Sequence, residues 1–120
     1  MRVAIFKKFR FEAAHLIPGL KKGHKCGRLH GHSWVVKLEF GGEVQDDGMV
    51  IDFGIVSEFF APILDQLDHR YLNDFIEIPT SENVAIWIYG KVALHPIMGS
   101  QLLGVTVEET CTSGAVYYGQ

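Results

Sequence analysis

Two stretches near the start of the chain alternate between apolar and polar residues, which is the pattern of half-buried β-strands. Over residues 2–15 five of the odd positions form an apolar row, namely Val3, Ile5, Phe9, Phe11 and Ala13. Over about 30–44 the even positions are apolar, namely Trp34, Val36, Leu38 and Phe40. Several turn-forming glycines and a proline between the two stretches predict a long loop over 16–29.

The middle of the chain changes to helical spacing of its apolar residues. The first helix is predicted over about 55–67, with Pro62 expected to kink or shorten it. A second is predicted from about Ser81 to Leu94, with Thr80 or Ser81 as its N-cap. Two further strands are predicted, over about 102–112 and 115–118. This order predicts one α+β domain over 1–120, with helices on one face of an antiparallel sheet of four strands.

The composition narrows the class of protein. The chain has 120 residues, a hydrophobic content of 48% and a net charge of −3, so a general nucleic-acid binder with a basic surface is not expected. No apolar run is long enough to span a membrane. Cys26 and Cys111 form no CxxC pair, so we expect reduced thiols rather than a disulfide framework. These features predict a cytoplasmic protein.

Three histidines lie where the two predicted strands meet the loop. His15 continues the apolar row of the first strand, and His30 and His32 share the apolar row of the second. If the strands are neighbours, the three imidazoles converge at one end of the sheet. A single such histidine is usually a hydrogen-bonded core residue, but burying three rings costs free energy unless each has a partner. One Zn²⁺ would satisfy all three and leave a fourth position open, although copper or nickel also suits these ligands.

Cys26 lies within the predicted loop and has two interpretations. As a fourth metal ligand it would close the site and make it structural. As a thiolate base or nucleophile it would be activated by the metal and by the neighbouring Lys25 and Arg28. The spacing alone does not distinguish the two. His24 and His95 are expected to be solvated and to stand outside the site.

Two further positions carry candidate chemistry. Asp68 and His69 adjoin at the end of the first predicted helix, where they suit a proton relay, although a histidine facing the helix dipole explains the pair equally well. Glu109 falls on the apolar row of the strand predicted over 102–112. A carboxylate there needs a partner, such as the two parallel N–H donors of an aminopyrimidine ring. The alternative is a break in register that returns Glu109 to water.

The predicted loop is also rich in positive charge. Five basic residues crowd into eight positions, namely Lys21, Lys22, His24, Lys25 and Arg28. Such a cluster suits an anion such as phosphate, and the alternative is a solvated loop.

Five blocks of the chain resemble the 6-pyruvoyl-tetrahydropterin synthase family: FEAAH, CGRLHGH, LDHRYLND, PTSEN and EETCT occur in the family's order. The form CGRLHGH is most similar to the bacterial branch, which makes 6-carboxy-tetrahydropterin in queuosine biosynthesis. The resemblance implies a tunnelling fold, in which subunits join edge to edge into a barrel. It further implies a homohexamer built as a dimer of trimers.

The resemblance also implies roles for individual residues. The zinc ligands would be His15, His30 and His32. Cys26 would be the general base, with Asp68 and His69 as its proton-relay partners. Glu109 would anchor the pterin ring. Two residues of PTSEN would lie near the ring, Thr80 and Ser81.

The implied reaction is zinc-dependent cleavage of 7,8-dihydroneopterin triphosphate, with release of acetaldehyde and triphosphate. The basic loop would then be a reasonable contact for the triphosphate. Two alternatives stay open on the sequence alone. One is elimination of triphosphate to give 6-pyruvoyl-tetrahydropterin, and the other is a non-catalytic module that binds zinc or a pterin.

Overall fold

The two alternating stretches form the longest strands of the protein. In a computed structural model that describes residues 1–120, β1 covers Arg2–His15 and β2 covers His30–Glu43. They pair antiparallel over their whole length, from Arg2 opposite Glu43 to His15 opposite His30. This register brings the end of β1 against the start of β2, as the hydrophobic pattern predicts.

The sheet has five strands rather than the predicted four. Three more strands complete it: β3 at Arg70–Tyr71, β4 at Leu102–Thr110 and β5 at Ser113–Tyr117. Their order across the sheet is β3-β1-β2-β4-β5. The fifth strand, β3, pairs parallel to β1 through Ala13 and Ala14, so the sheet is not purely antiparallel. Two residues are too few to show any alternation, which is why the sequence pattern does not reveal β3.

Two long helices cover one face of this sheet. Helix α1 covers Phe53–Leu67 and starts at Asp52, whose carboxylate accepts the Gly54 N–H at 2.8 Å. It continues through Pro62, so the expectation that this proline shortens the helix is wrong. Helix α2 covers Ser81–Ala93, close to the predicted range, and a third helix, α3, is a single turn at Met98–Gln101.

The core lies between the sheet and the helices. The even-numbered apolar residues of β2 from Trp34 to Phe40 are fully buried, together with Phe60 of α1 and Ile88 of α2. Burying each large apolar side chain contributes roughly 1.5–3 kcal/mol, so this layer supplies most of the driving force for folding. The helices are all too short or too polar to cross a membrane.

One edge of the sheet is largely open. β3 pairs with β1 only at Ala13 and Ala14, and Glu12 bonds to Asp68 and His69, so residues 2–11 have no neighbouring strand on the side away from β2. The opposite edge is β5. Open edges present unpaired backbone groups that favour pairing with another chain.

Candidate active site

Three histidine rings meet at the end of the sheet where β1 and β2 pair. His15 and His30 face each other directly in the strand register, and His32 lies two residues further along β2 on the same side. One potential ligand atom from each residue lies within 4.8 Å of those of the other two. The predicted convergence of these rings is confirmed, and the cluster is positioned to bind a metal ion.

Hydrogen bonds determine which nitrogen each ring presents. The Nδ1–H of His15 donates to the Pro79 carbonyl, and the Nδ1–H of His30 donates to the Arg28 carbonyl, both at 2.7 Å. These bonds leave Nε2 of both rings free for another partner. The Nε2 atoms of His15 and His32 are buried and have no hydrogen-bond partner in the folded chain. Because unpartnered buried polar atoms are costly, the ring nitrogens fit a bound metal ion.

Two of the three histidines, His15 and His32, are held in the form that binds metals. Burial lowers the pKa of His15, and the neighbouring rings of His30 and His32 lower it further, against the opposing effect of the Pro79 carbonyl. Burial is also the main cause that lowers the pKa of His32, although Glu109 opposes it. A lowered pKa favours the neutral imidazole, whose lone pair is available for coordination.

Cys26 lies beside this cluster and outside it. The thiol is half-buried in a 3₁₀ turn, Lys25–Gly27, and borders the same cleft of about 470 Å³ as His30 and His32. The Cys26 carbonyl accepts the N–H of Ile17 at 2.8 Å, which ties the turn to the segment after β1. Since the ligand cluster consists of the three histidines alone, it does not include the thiol as a fourth ligand.

Glu109 enters the cleft from β4. The register between β4 and β5 shifts between Glu108 and Thr110, and Glu109 lies at this irregularity. Its carboxylate nevertheless stays on the side of the helices, where Oε1 accepts the Ser81 hydroxyl at 3.4 Å and Oε2 lies 3.9 Å from His32 Nε2. The register break considered in the sequence therefore occurs without returning Glu109 to open water, and its side chain is 24% exposed.

Thr80 and Ser81 serve different local purposes. The Thr80 hydroxyl accepts the Asn83 N–H at 3.2 Å and so forms the N-cap of α2. Ser81 is buried and turns its hydroxyl toward Glu109. Of the two residues, Ser81 is the one that contacts another candidate site residue.

Asp68 and His69 form a hydrogen-bonded pair at the end of α1. Asp68 Oδ1 accepts the Glu12 N–H at 2.9 Å, and Asp68 Oδ2 lies 3.0 Å from His69 Nδ1. The Glu12 N–H is the largest cause that holds the pKa of Asp68 below its ordinary value, followed by the bond with His69. His69 has a φ of 59°, a left-handed conformation that is uncommon outside glycine, and its N–H donates to the Glu12 carbonyl.

Within one chain this pair and Cys26 border different cavities. His69 borders a cavity of about 530 Å³ together with Glu12 and Ser33, and His32 borders both this cavity and the cleft of Cys26. The side chains of Glu12 and Ser33 are hydrogen-bonded to each other and alternate to the face of the sheet away from the helices. The structure thus brings together the histidines, Cys26, Ser81 and Glu109, and places Asp68 and His69 elsewhere.

The structure adds residues that the sequence pattern did not indicate. Thr110 and Ser113 border the cleft beside Cys26, together with Lys25, which the sequence had already singled out. The hairpin after Glu109 places Thr110 and Ser113 there, and no periodic signal marks such turn positions. Trp34, interpreted only as a core residue, contacts the His15 ring, with 4.9 Å between ring centroids.

The two histidines expected to be solvated behave differently from each other. His24 is exposed, and its ring accepts the Cys26 N–H at 3.1 Å. His95 is not freely solvated, because its Nδ1 accepts the N–H groups of Ile97 and Met98 and its ring contacts Phe59. Neither residue belongs to the histidine cluster.

Comparisons with known proteins agree with this geometry. The family model of 6-pyruvoyl tetrahydropterin synthase matches residues 4–120. The chain is 41% identical to the 6-carboxy-5,6,7,8-tetrahydropterin synthase of Synechocystis sp., over 95% of this chain and 92% of that protein. It is 33% identical to the dihydroneopterin monophosphate aldolase of Pyrococcus furiosus, over 77% of this chain and 76% of that protein.

A solved structure shows the same fold. The 6-pyruvoyl tetrahydropterin synthase of Caenorhabditis elegans superposes with a TM-score of 0.90 and 32% identity, over 100% of this chain and 97% of that chain. The match of the family model and of these relatives over most of the length shows that the chain belongs to the 6-pyruvoyl tetrahydropterin synthase family.

Proposed function

We propose that the protein is a zinc-dependent lyase of queuosine biosynthesis in the cytoplasm. It converts 7,8-dihydroneopterin triphosphate and water to 6-carboxy-5,6,7,8-tetrahydropterin, acetaldehyde and triphosphate. The observation that carries this proposal is the cleft in which Cys26 adjoins three histidines with free ring nitrogens. The 41% identity to a relative named for the same carboxylated product supports it.

The zinc ligands would be Nε2 of His15, His30 and His32. Three neutral nitrogen ligands are typical of catalytic zinc, which keeps a position open for substrate. When bound, the ion supplies Lewis-acid polarisation of the substrate's side-chain oxygens. The carbonyls of Pro79 and Arg28 fix two of the rings, so these ligands are oriented before any ion arrives.

Glu109 is the proposed anchor of the pterin ring. An ionised carboxylate accepts two parallel hydrogen bonds, which matches the ring N–H and the exocyclic amine of a pterin. The Ser81 hydroxyl holds one carboxylate oxygen from the side of α2. Because Glu109, His30 and His32 line one cleft, a ring bound at Glu109 would extend its side chain toward the ligand cluster.

Cys26 is the proposed base that removes a proton from the substrate side chain, and the Asp68–His69 pair is the proposed relay. Asp68 orients the ring of His69 through Nδ1, which leaves the far side of the ring to exchange protons. His69 and Cys26 of one chain border different cavities. The proposed relay therefore requires His69 from a second copy of the chain. The open edge of β1 is compatible with such an assembly, and we infer a homohexamer from the family resemblance.

A second candidate is the elimination of triphosphate without carbon–carbon cleavage, which would give 6-pyruvoyl-tetrahydropterin. The close superposition with the 6-pyruvoyl tetrahydropterin synthase of Caenorhabditis elegans supports this second candidate. The Pyrococcus furiosus relative is named for a monophosphate ester, so the length of the phosphate tail is also a property to determine for this chain.

Product analysis tests the proposal. Zinc-loaded protein is incubated with 7,8-dihydroneopterin triphosphate, and every product is identified by mass, with Cys26→Ala protein as the control. Acetaldehyde and the carboxylated pterin in equal amounts are expected. Triphosphate without acetaldehyde would instead establish the elimination. Bound zinc with no turnover of either kind would establish a non-catalytic module.

A further inference from the structure

The turn that carries Cys26 is held by hydrogen bonds rather than by packing. It is the 3₁₀ helix Lys25–Gly27, and none of its residues is buried. The loop around it, residues 16–29, contributes no side chain to the buried core. Because core contacts do not fix this turn, the direction of the Cys26 thiol depends on the groups that bond to the Cys26 backbone.

The carbonyl of Cys26 is anchored to the segment that follows β1. It accepts the Ile17 N–H at 2.8 Å. The preceding residue, Leu16, is itself fixed by the side-chain amide of Asn73. The oxygen of that amide accepts the Leu16 N–H at 3.0 Å, and its nitrogen donates to the Leu16 carbonyl at 2.9 Å. One end of the Cys26 residue is therefore tied to the chain directly after the ligand His15.

The N–H of Cys26 is held by a side chain, that of His24. It donates to His24 Nδ1 at 3.1 Å, and His24 is the N-cap of the turn, with extended backbone angles of φ −66° and ψ 127°. The His24 carbonyl also accepts the Gly27 N–H at 3.0 Å, so His24 closes the turn twice. Serine, threonine, asparagine and aspartate are the usual residues at such a position.

The chemistry of an imidazole makes this capping bond specific. A ring nitrogen accepts a hydrogen bond only when it carries no proton, so the bond requires a neutral His24 with its proton on Nε2. The His24 side chain is exposed, and packing in the core therefore does not explain its presence. Its one contact of evident consequence is the bond to the backbone of the residue that borders the cleft.

We propose that His24 is a positioning residue, which orients the Cys26 thiol toward the cleft through its bond to the Cys26 N–H. The inference rests on the proposed function, in which Cys26 removes a proton from the substrate side chain. With the carbonyl held by Ile17 and the N–H held by His24, the direction of the Cys26 side chain between them is determined. A base must lie within hydrogen-bond reach of the proton it removes, so loosening the turn slows proton transfer.

The kinetic test removes the acceptor and then restores it. His24→Ala removes it, whereas His24→Asn supplies a side-chain oxygen suited to the same bond. Leu20→Ala shortens an exposed side chain of the same loop and is the matched control. We expect kcat for 7,8-dihydroneopterin triphosphate to fall about fivefold in His24→Ala, as for the loss of one N-cap bond, with little change in KM. His24→Asn should restore kcat, and Leu20→Ala should keep it.

Two further readouts do not depend on the reaction. Amide hydrogen exchange at Cys26, followed by NMR, should be about fivefold faster in His24→Ala and return to the wild-type rate in His24→Asn. Alkylation of Cys26 by iodoacetamide is measured with Cys111→Ala in every protein, so that only one thiol reacts. It should accelerate in His24→Ala, because the loosened turn exposes the half-buried thiol, and His24→Asn should reverse the change.

The outcomes separate the positioning role from the proposed function. An unchanged kcat in His24→Ala, a loss that His24→Asn does not restore, or an equal loss in Leu20→Ala overturns the role. Faster exchange with an unchanged alkylation rate also overturns it, because the bond would then form without orienting the thiol. If the wild-type protein shows no turnover, the proposed function fails and the alkylation rates decide. Acceleration in His24→Ala that His24→Asn reverses then supports the positioning, and equal rates overturn it.

Discussion

The histidine cluster and the Asp68–His69 pair are two groups of polar residues that the chain holds in different ways. The three histidines of the cluster lie at the paired ends of two long strands, and His15 is 1% exposed. The pair follows the end of α1, and the His69 side chain is 78% exposed. Its position depends on two hydrogen bonds to the backbone of Glu12 and on a left-handed residue.

This difference indicates how each group works. Buried rings whose Nδ1 atoms are bonded to carbonyls are oriented in the free chain, which suits metal binding. The exposed pair borders a different cavity from the one that Cys26 borders, so its proposed chemistry does not follow from one chain alone. The cluster is complete in one copy, whereas the relay proposed for the pair requires another copy.

The largest effect is expected from removing a ligand of the cluster. His30→Ala should abolish stoichiometric zinc binding and lower turnover by more than the roughly 10- to 100-fold typical of losing an outer-shell partner. Zinc per chain is measured by elemental analysis alongside product formation. His24→Ala, which alters a histidine outside the cluster, should keep its zinc. Full zinc content in His30→Ala would show that the cluster is not the metal site.

Cys26→Ala separates the thiol from the cluster. Loss of a positioned acid or base typically lowers turnover by about 10²- to 10⁴-fold. Zinc content should stay at the wild-type value because the ligand cluster does not include the thiol. The exposed Cys111 provides the matched control as Cys111→Ala. Loss of zinc together with activity would favour a closed structural site.

His69→Gln tests the requirement for a second copy. Turnover should fall by about 100-fold with zinc retained, since the relay residue does not touch the cluster. Mixing this variant with Cys26→Ala under conditions that exchange subunits should restore activity, because some sites then receive both native residues. Each variant mixed with itself is the control. Absence of any recovery in exchanged mixtures would contradict a site shared between chains.

A smaller effect is expected at the start of α2. Thr80→Ala removes the N-cap hydrogen bond and should lower the free energy of unfolding by about 1 kcal/mol, measured by urea denaturation. Ser81→Ala should instead raise KM more than Thr80→Ala does, because it frees the Glu109 carboxylate. A larger KM effect in Thr80→Ala would assign the ring contact to Thr80.

The smallest effect concerns the pH dependence of stability. The Glu12 N–H and His69 hold the folded-state pKa of Asp68 below its unfolded value of 3.8. The ionised carboxylate therefore stabilises the fold above this pH, and the contribution is lost as the pH falls through the folded-state pKa. Asp68→Asn should lose less stability than the wild type on acidification from pH 6 to pH 3, measured by chemical denaturation. Asp65→Asn, which changes an exposed carboxylate, should lose as much stability on acidification as the wild type does.

Regular periodicity accounts for what the sequence predicted well. Strand alternation placed the three histidines on one face, and the α+β class with helices on one face is confirmed. Capping chemistry predicted Thr80 or Ser81 as the N-cap of α2, and the structure has Thr80 there. These predictions succeed because each depends on residues close together in sequence.

The remaining features depend on contacts between distant segments. The two-residue β3 exists only because the chain after α1 returns to β1, and the bond from His69 to Glu12 fixes that return. Pro62 was expected to shorten α1, but packing of the helix against the sheet outweighs the loss of one hydrogen bond. The placement of His69 and Cys26 at different cavities likewise has no signature in the local sequence.

The burial of Trp34 gives the protein an optical signal. Its indole ring is fully buried and donates its N–H to the Ala13 carbonyl. The ring also contacts two histidines of the cluster, His15 and His32. The only other tryptophan, Trp87, packs against Phe75 and Lys91 away from the cluster. A metal ion bound by the cluster would change the surroundings of Trp34 and leave those of Trp87 unchanged. We therefore expect intrinsic emission to report metal occupancy without a label.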